Sequence, residues 1–351
     1  MRLIAPAARA LEAAESRGGC RGRGGRVDSS RIRRRMHPEE VTSVSRKGWL
    51  LFIAMCVIWG IPYLLIRVAV RELPPPALVL LRTAPAALLL APLVLHRGEL
   101  RPLLARWRWV VAYTVIEIAV PWLLLARAEV RLSSSLAGLL VATVPLIAAV
   151  LYRAVGAGEH FDARRLTGLF IGFAGVAALV GIDTGGTDPL AVVEVLIVAI
   201  CYASGPLIIS RRLAGLPTLG VITASLALTA VFYAPAGLLT MPASLSAETV
   251  GAVATLALVC TVLAFLLFFA LIREVGPSRS TVITYVNPLV AVLLGVVILS
   301  EPLTLGIAVG MPLILLGSVL GTAPSLRKVS APGGGRPSDP ATDSSASPPT
   351  P

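Results

Sequence analysis

Long apolar stretches alternate with short polar segments along most of this chain. Between residues 48 and 323, each apolar stretch approaches the roughly 20 residues that a helix needs to cross the hydrocarbon core of a bilayer. Because lipid offers the backbone no hydrogen-bonding partner, each segment must satisfy its own N–H and C=O groups, as a helix does. The pattern therefore predicts an all-α membrane protein with ten transmembrane helices. Their predicted ranges are 48–69, 76–95, 109–126, 132–152, 165–182, 189–209, 217–239, 249–272, 280–299 and 302–322.

The composition agrees with a chain that lies mostly in the membrane. Hydrophobic residues make up 56 % of it, charged residues only 14 %, and the mean hydropathy is +0.83. The ends differ, because residues 1–47 form a basic arm and residues 323–351 a tail rich in Pro, Gly, Ser and Thr. We expect both ends to be disordered and cytoplasmic. The first 35 residues either precede the true start at Met36 or form an arm that touches anionic lipid.

Arginine is concentrated in alternate loops, which accounts for the net charge of +12. The arm and the loops after predicted helices 2, 4, 6, 8 and 10 are basic, whereas the other loops hold few basic residues. Because basic loops stay in the cytoplasm, both termini are expected there. The charge thus indicates the topology of a multi-pass protein of the cell membrane, and we expect no nucleic-acid partner. The basic loop residues are Arg97, Arg101, Arg106, Arg108, Arg153, Arg164, Arg165, Arg211, Arg212, Arg273, Arg279, Arg327 and Lys328.

The two halves of the apolar region share a series of landmarks at matching spacings. The first half contains Ser135, Pro145, Glu159, Gly168 and Gly175, and the second half contains Ser278, Pro288, Glu301, Gly310 and Gly317. Because each unit has five helices, the second unit must enter the membrane from the opposite side. This inverted repeat is the architecture expected of secondary transporters. We therefore predict one five-helix repeat over 48–182, an external linker over 183–188 and a second repeat over 189–322.

Three sequence features together resemble the EamA-type branch of the drug/metabolite transporter superfamily. They are WGIPYLLIRVAV at 59–70, LVLLRTAPAALLLAPLVL at 78–95, and the paired units of serine, Pro-Leu, glutamate and two glycines. The resemblance covers residues 48–322. It implies a helical bundle with a central cavity between the halves, and export of amino acids, related metabolites or toxic compounds.

Three ionisable residues inside predicted spans are candidates for the transport path, because an unpaired charge in the membrane is costly. Glu117, near the middle of helix 3, either carries a proton or contacts the substrate, or it is a static tie between helices. Glu194, about a turn and a half into helix 6, either takes part in the path or merely reaches toward water. Arg82 in helix 2 either holds a carboxylate or serves as a structural partner. We hypothesise that all three face one cavity.

Further candidates are residues that break helices and polar or aromatic residues deep within the spans. Glycine and proline weaken or kink a helix, and broken helices often line transporter sites, although ordinary kinks are equally common. The predicted breaks are at Gly60, Pro62, Gly205, Pro206, Pro145 and Pro288. The side chains that either line a cavity or only pack are Trp59, Tyr63, Tyr202, Tyr285 and Asn287. Trp107, Trp109 and Trp122 lie near span ends and are predicted to form an interfacial belt.

We expect a secondary active transporter that exports small organic solutes, with proton exchange through Glu117 as the favoured driving force. The partners are then a small-molecule substrate and the bilayer, the protein is a monomer or homodimer, and no cofactor or metal is required. A lipid-carrier flippase is the first alternative. A membrane-embedded enzyme is disfavoured, because the chain has three histidines and two of them, His96 and His160, fall in predicted cytoplasmic loops.

Overall fold

Helices make up the part of the chain that the structure, a computed structural model, describes, namely residues 45–156, 162–182, 188–276, 280 and 282–322. No strand occurs in these ranges. The long helices are α1 Arg46–Ala69, α2 Pro75–His96, α3 Trp107–Glu129, α4 Ser134–Ala154, α5 Ala163–Gly181, α6 Pro189–Arg212, α7 Thr218–Leu239, α8 Ala247–Val275, α9 Ile283–Leu299 and α10 Leu305–Thr322. A short helix, Arg101–Leu104, lies between α2 and α3.

Nine of these described helices are long and apolar enough to cross a membrane, whereas α9 has 17 residues. The predicted all-α membrane fold is confirmed. The count of ten spans stays a prediction, because α9 falls short of the length that identifies the others. The arm and the tail lie outside the described residues, apart from 45–47, and the predicted repeat boundaries remain untested.

The principal helix contacts join one half of the chain to the other in a symmetric scheme. The second helices, α2 and α7, pack together, as do the fourth helices α4 and α9 and the fifth helices α5 and α10. The first helix of each half packs on the third helix of the other, so that α1 contacts α8 and α6 contacts α3. Each contact thus has its counterpart in the other half, as an inverted repeat requires.

Glycines bring the backbones of α5 and α10 into direct contact. A Cβ atom on Gly310 would lie 2.8 Å from the Cβ of Leu179, and one on Gly175 would lie 2.8 Å from the backbone nitrogen of Ile314. Both distances are shorter than carbon and nitrogen atoms tolerate, so only glycine fits at these crossings. The repeated glycines therefore serve helix packing. Of the other repeat landmarks, Glu159 and Ser278 lie outside the described residues.

The helix interruptions occur at only some of the predicted places. The α1 helix is divided at Trp59–Gly60, where the Gly60 N–H donates to Val57 at 3.0 Å, and Pro62 opens the following segment. The α4 helix is divided just before Val144, with Pro145 again the second residue of the new segment. The predicted breaks at Gly205, Pro206 and Pro288 are wrong, because α6 and α9 continue through them without interruption.

Instead, two π-helical segments that the sequence did not predict interrupt the third helix of each half. They are Thr114–Ala119 in α3 and Leu258–Leu263 in α8. A π turn inserts one residue into the helical ladder, widens the helix and often marks a functional site. The matching positions of the two segments add a further feature to the repeat.

Burial is concentrated at one end of the bundle. The loops 70–74, 130–133, 240–246 and 300–304 lie at this end, where the backbone nitrogen of Ser246 donates to Glu72 and that of Ser134 donates to Glu301. From the charge pattern, we name it the predicted outer end and the opposite end the predicted inner end. The largest cluster of buried apolar side chains draws on nine of the ten helices and lies mainly in their outer halves. Toward the inner end the packing divides, with one cluster joining α1, α8 and α9 and a separate one joining α3, α6 and α7. The structure is therefore closed most tightly at the predicted outer end.

Candidate functional site

Glu117 lies in the π-helical segment of α3, against the backbone of α6. A Cβ atom on Gly205 would collide with the Glu117 carboxylate, so the absence of a side chain at 205 makes room for it. The Oε2 atom is buried and has no hydrogen-bond partner among the described residues. Tyr113, Tyr152 and Tyr202 lie within electrostatic range of this carboxylate. A carboxylate near the middle of a span, with no ion-pair partner in the part of the chain that the structure describes, can hold a proton or receive a ligand.

Arg82 of α2 is a buried charged residue near the middle of the bundle. Its side chain is 8 % exposed, and its Nε donates to the Oγ1 of Thr261 at 3.2 Å. The guanidinium carbon lies 3.6 Å from the ring centroid of Trp122, a cation–π contact. The terminal Nη groups make no hydrogen bond or ion pair within the described residues. Arg82 is therefore held in place at its Nε and its flat face, while its outer donors remain available to an anionic group.

The sequence did not reveal that Trp122 and Thr261 contact Arg82. Trp122 was predicted to lie in an interfacial belt, which is wrong, because it is 8 % exposed and lies beneath Arg82. Thr261 is the fourth residue of its π-helical segment, as Glu117 is of the other. Glu117 and Thr261 are separated by 144 residues, the same offset as Pro62 and Pro206, and this match was the signal that could have identified Thr261.

Glu194 belongs to a different place in the fold. Its Oε1 lies 3.0 Å from the Nε of Arg127, and its Oε2 pairs with Arg131. Arg131 also pairs with Asp188 at 3.0 Å, so the group ties the end of α3 to the start of α6. The hypothesis that Glu117, Arg82 and Glu194 share one cavity is not supported, because Glu194 is already paired near the predicted outer end.

The predicted aromatic candidates also lie in different parts of the bundle. Tyr63 is buried within the largest apolar cluster, and Tyr202 packs against that cluster and against the α2–α7 cluster. Trp59, beside the interruption of α1, packs on Phe268 of α8 with ring centroids 4.7 Å apart. Tyr285 lies near the start of α9, where its hydroxyl is 2.5 Å from the Oγ1 of Thr322. Of these side chains, Tyr202 is within electrostatic range of both Glu117 and Arg82.

Asn287 repairs the hydrogen bonding at the interruption of α1. Because Gly60 donates to Val57, the carbonyl of Cys56 loses its usual helical partner. With its amide nitrogen turned toward α1, Asn287 donates to the carbonyl of Cys56 at 3.1 Å and to that of Ile283 at 2.9 Å. This geometry favours the interpretation of Asn287 as a partner for a freed carbonyl over that of a substrate ligand.

A crevice with a volume of about 500 Å³ opens between α1, α8 and α9 in the predicted outer half. Its walls are mostly apolar and include Leu64, Leu65 and Ile298. Arg71 and Glu248 stand among the lining residues as groups of opposite charge. The crevice is remote in sequence and position from Glu117 and offers apolar contact beside two charges.

The model of the EamA-like transporter family matches this chain twice, over residues 46–181 and 189–322. The chain is 32 % identical over 257 residues to the uncharacterized inner membrane transporter YedA of Escherichia coli K12. The aligned region covers 69 % of this chain and 79 % of that protein. It is 26 % identical to an uncharacterized transporter of Archaeoglobus fulgidus, over 77 % of this chain and 97 % of that protein. One crystal structure of a protein has a similar fold, with a TM-score of 0.56 and 23 % identity over 78 % of this chain and 96 % of that chain.

Proposed function

Because the chain belongs to the EamA-like transporter family, and is thus a multi-pass membrane transporter, we propose that it is a secondary active exporter of small organic solutes. No enzymatic activity is part of this proposal. The protein works by alternating access, with both termini in the cytoplasm. The divided packing toward the predicted inner end supports a cytoplasm-facing arrangement of the described bundle.

The observation that carries the proposal is the half-buried carboxylate of Glu117, which contacts Gly205 and whose buried Oε2 has no hydrogen-bond partner among the described residues. An ionised carboxylate without partners in the membrane costs about 3 kcal/mol even by the lenient insertion scale. A proton or a cationic group of a substrate removes that cost. Binding and release of a proton at Glu117 can therefore be coupled to the substrate-loaded and empty states of the carrier.

Arg82 supports a substrate that carries a carboxylate. Its Nη groups are free among the described residues, and Trp122 holds the guanidinium plane in one orientation. A planar guanidinium binds a carboxylate through two parallel hydrogen bonds, which gives orientation as well as affinity. Amino acids and related acidic metabolites fit this arrangement.

The test begins with a panel of amino acids, dipeptides and antimicrobials, on which growth of a deletion strain and of an overexpressing strain identifies a transported compound. Flux of that compound is then measured in proteoliposomes with an imposed pH gradient. Glu117→Gln keeps the shape of the side chain and removes the titratable group, so it should abolish gradient-driven efflux while the protein still inserts. Glu194→Gln is the matched control, since that acid is already paired with arginine, and it should retain flux. Wild-type flux in Glu117→Gln from pH 5.5 to 8 would refute the role of Glu117.

A second candidate function, transport of a lipid-linked carrier, is favoured by the crevice between α1, α8 and α9. Its apolar walls could receive an acyl or prenyl chain, and Arg71 could receive a phosphate. Enlarging a side chain on the wall, as in Ala252→Phe, should then slow lipid translocation in proteoliposomes and leave flux of a soluble solute unchanged. The reverse result would assign transport to the centre of the bundle.

A further inference from the structure

Glu129, the last residue of α3, is a buried acid with no role in the proposed transport cycle. Its side chain is 0 % exposed and lies at the predicted outer end. Neither carboxylate oxygen has a hydrogen-bond partner among the described residues. It is the C-terminal counterpart of Glu117 on the same helix, 12 residues or roughly 18 Å further along.

The charged groups around Glu129 do not satisfy its carboxylate. Arg67 of α1 contacts Glu129, but not through the carboxylate. Its Nη1 donates to the main-chain carbonyls of Glu129 and of Val130, the latter at 3.0 Å. Arg82 of α2 interacts with Glu129 electrostatically but donates its Nε to Thr261. Tyr63 of α1 is a further titratable neighbour of Glu129. On α6, Glu194 is already paired with two arginines.

Glu301, in the loop between α9 and α10, has its carboxyl group within electrostatic range of Glu129. Its own carboxylate is fully engaged as a cap on α4. It accepts from the backbone nitrogen of Ser134 at 2.7 Å, from that of Ser135 at 3.0 Å and from the Ser135 hydroxyl at 2.5 Å. Three such bonds hold the Glu301 carboxylate in place at the N-terminus of α4. Glu129 therefore has a positionally fixed carboxylate within electrostatic range.

These contacts determine the protonation state that the closed end can accept. An ionised carboxylate that is buried without hydrogen bonds is strongly disfavoured, and the neighbouring Glu301 carboxylate disfavours it further, whereas the charges of Arg67 and Arg82 offset only part of these penalties because neither arginine donates to the carboxylate. The neutral acid avoids both penalties. Opening the outer end admits water, and then the ionised form becomes acceptable. Closure and proton binding are thus linked, since a proton that binds the closed state better shifts the population toward it.

We propose that Glu129 is a second proton-binding site of this transporter, whose protonation holds the outer end closed. The site deepens the proposed function, because alternating access needs a closed outer end, but it does not depend on Glu117 or on the identity of the substrate. High external pH then favours the open outer end, and low pH favours the closed one.

The test measures access to the outer end with a membrane-impermeant maleimide on intact cells. Leu132, which is 2 % exposed beside Glu129, is changed to cysteine after the native cysteines have been replaced. Ser244→Cys, an exposed position at the same end, is the control, and it corrects for titration of the thiol itself. The corrected labelling rate of Leu132→Cys should rise by about tenfold between pH 5.5 and pH 8, as release of one proton allows.

Three variants in the Leu132→Cys background decide the matter. Glu129→Gln mimics the neutral acid, so labelling should stay slow and independent of pH. Glu129→Asp keeps the carboxyl group and should restore the pH dependence. Glu117→Gln should lose gradient-driven flux but keep the pH-dependent labelling, which separates failure of this proposal from failure of the proposed function. The same pH dependence in Glu129→Gln as in its parent, with normal expression, would overturn the proposal.

Discussion

The contact between Glu117 and Gly205 can be tested without knowing the substrate. In Gly205→Ala, the new Cβ would lie 2.7 Å from the carboxyl carbon of Glu117 and 3.4 Å from its Cγ. Carbon atoms prefer a separation of about 3.5–4.0 Å, and Oε2 would lie closer still to the new Cβ, so the carboxyl group must move back by more than about 1 Å or leave its position. The substitution therefore perturbs the candidate site through its shape alone.

The size of the effect follows from two opposing contributions. Overpacking of this kind costs about 1–3 kcal/mol. Replacing glycine by alanine within a helix stabilises the folded state by about 0.5–1 kcal/mol, because alanine loses less backbone entropy on folding. When Glu117→Ala removes the carboxylate first, only the gain remains, so the interaction free energy between the two sites should be about 1–3 kcal/mol. With about 2–4 °C per kcal/mol, the shift in melting temperature caused by Gly205→Ala should differ between the two backgrounds by about 2–12 °C.

The assay is thermal unfolding in detergent, followed by size-exclusion chromatography of the remaining folded protein. Gly181→Ala is the matched control, because a Cβ at that helical position of α5 would meet no atom within 4 Å. Glu117→Gln keeps the shape of the acid and should therefore leave the penalty of Gly205→Ala in place. Equal shifts from Gly205→Ala in the parent and in Glu117→Ala would refute the contact, and with it the placement of Glu117 against α6.

The remaining predictions concern topology, the N-terminus and the paired acid. Reporter fusions in the predicted cytoplasmic loops should score internal and those in the predicted external loops external, and the opposite pattern in either half would defeat the inverted repeat. The internal sites are Gly98 and Gly215, and the external sites are Gly186 and Ser246. A chain that begins at Met36 should insert and transport normally, because the preceding residues have no apolar pattern; lost flux with intact insertion would assign a function to the arm. Glu194→Gln should lower stability by about 1 kcal/mol, measured by thermal unfolding, since it releases Arg127 and Arg131 to partial solvation. A stability loss several times larger would show that this group does more than join α3 to α6.

Much of the fold follows from local properties of the sequence. The length of an apolar stretch determines whether it can cross a bilayer, and this needs no knowledge of its neighbours. The glycines of α5 and α10 are visible in the sequence as landmarks of the repeat, and small residues of this kind are typical of closely packed membrane helices. Glu117 could be identified as a candidate because acidic residues are costly, and therefore rare, within apolar spans.

The partners of the polar residues were decided only by the tertiary structure. The sequence placed Trp122 in an interfacial belt and did not distinguish Thr261 or Glu129, although the first two hold Arg82 and the third is buried at the closed end. It also predicted breaks in α6 and α9 that the bundle does not contain, and missed both π turns. Each residue turns a helix by about 100°, so the direction of a side chain depends on the rotation of the whole helix about its axis. A helix that is apolar on every side carries no pattern that reveals this rotation. Only packing against the other helices settles it, which is why the spans could be predicted from the sequence and the contacts within the site could not.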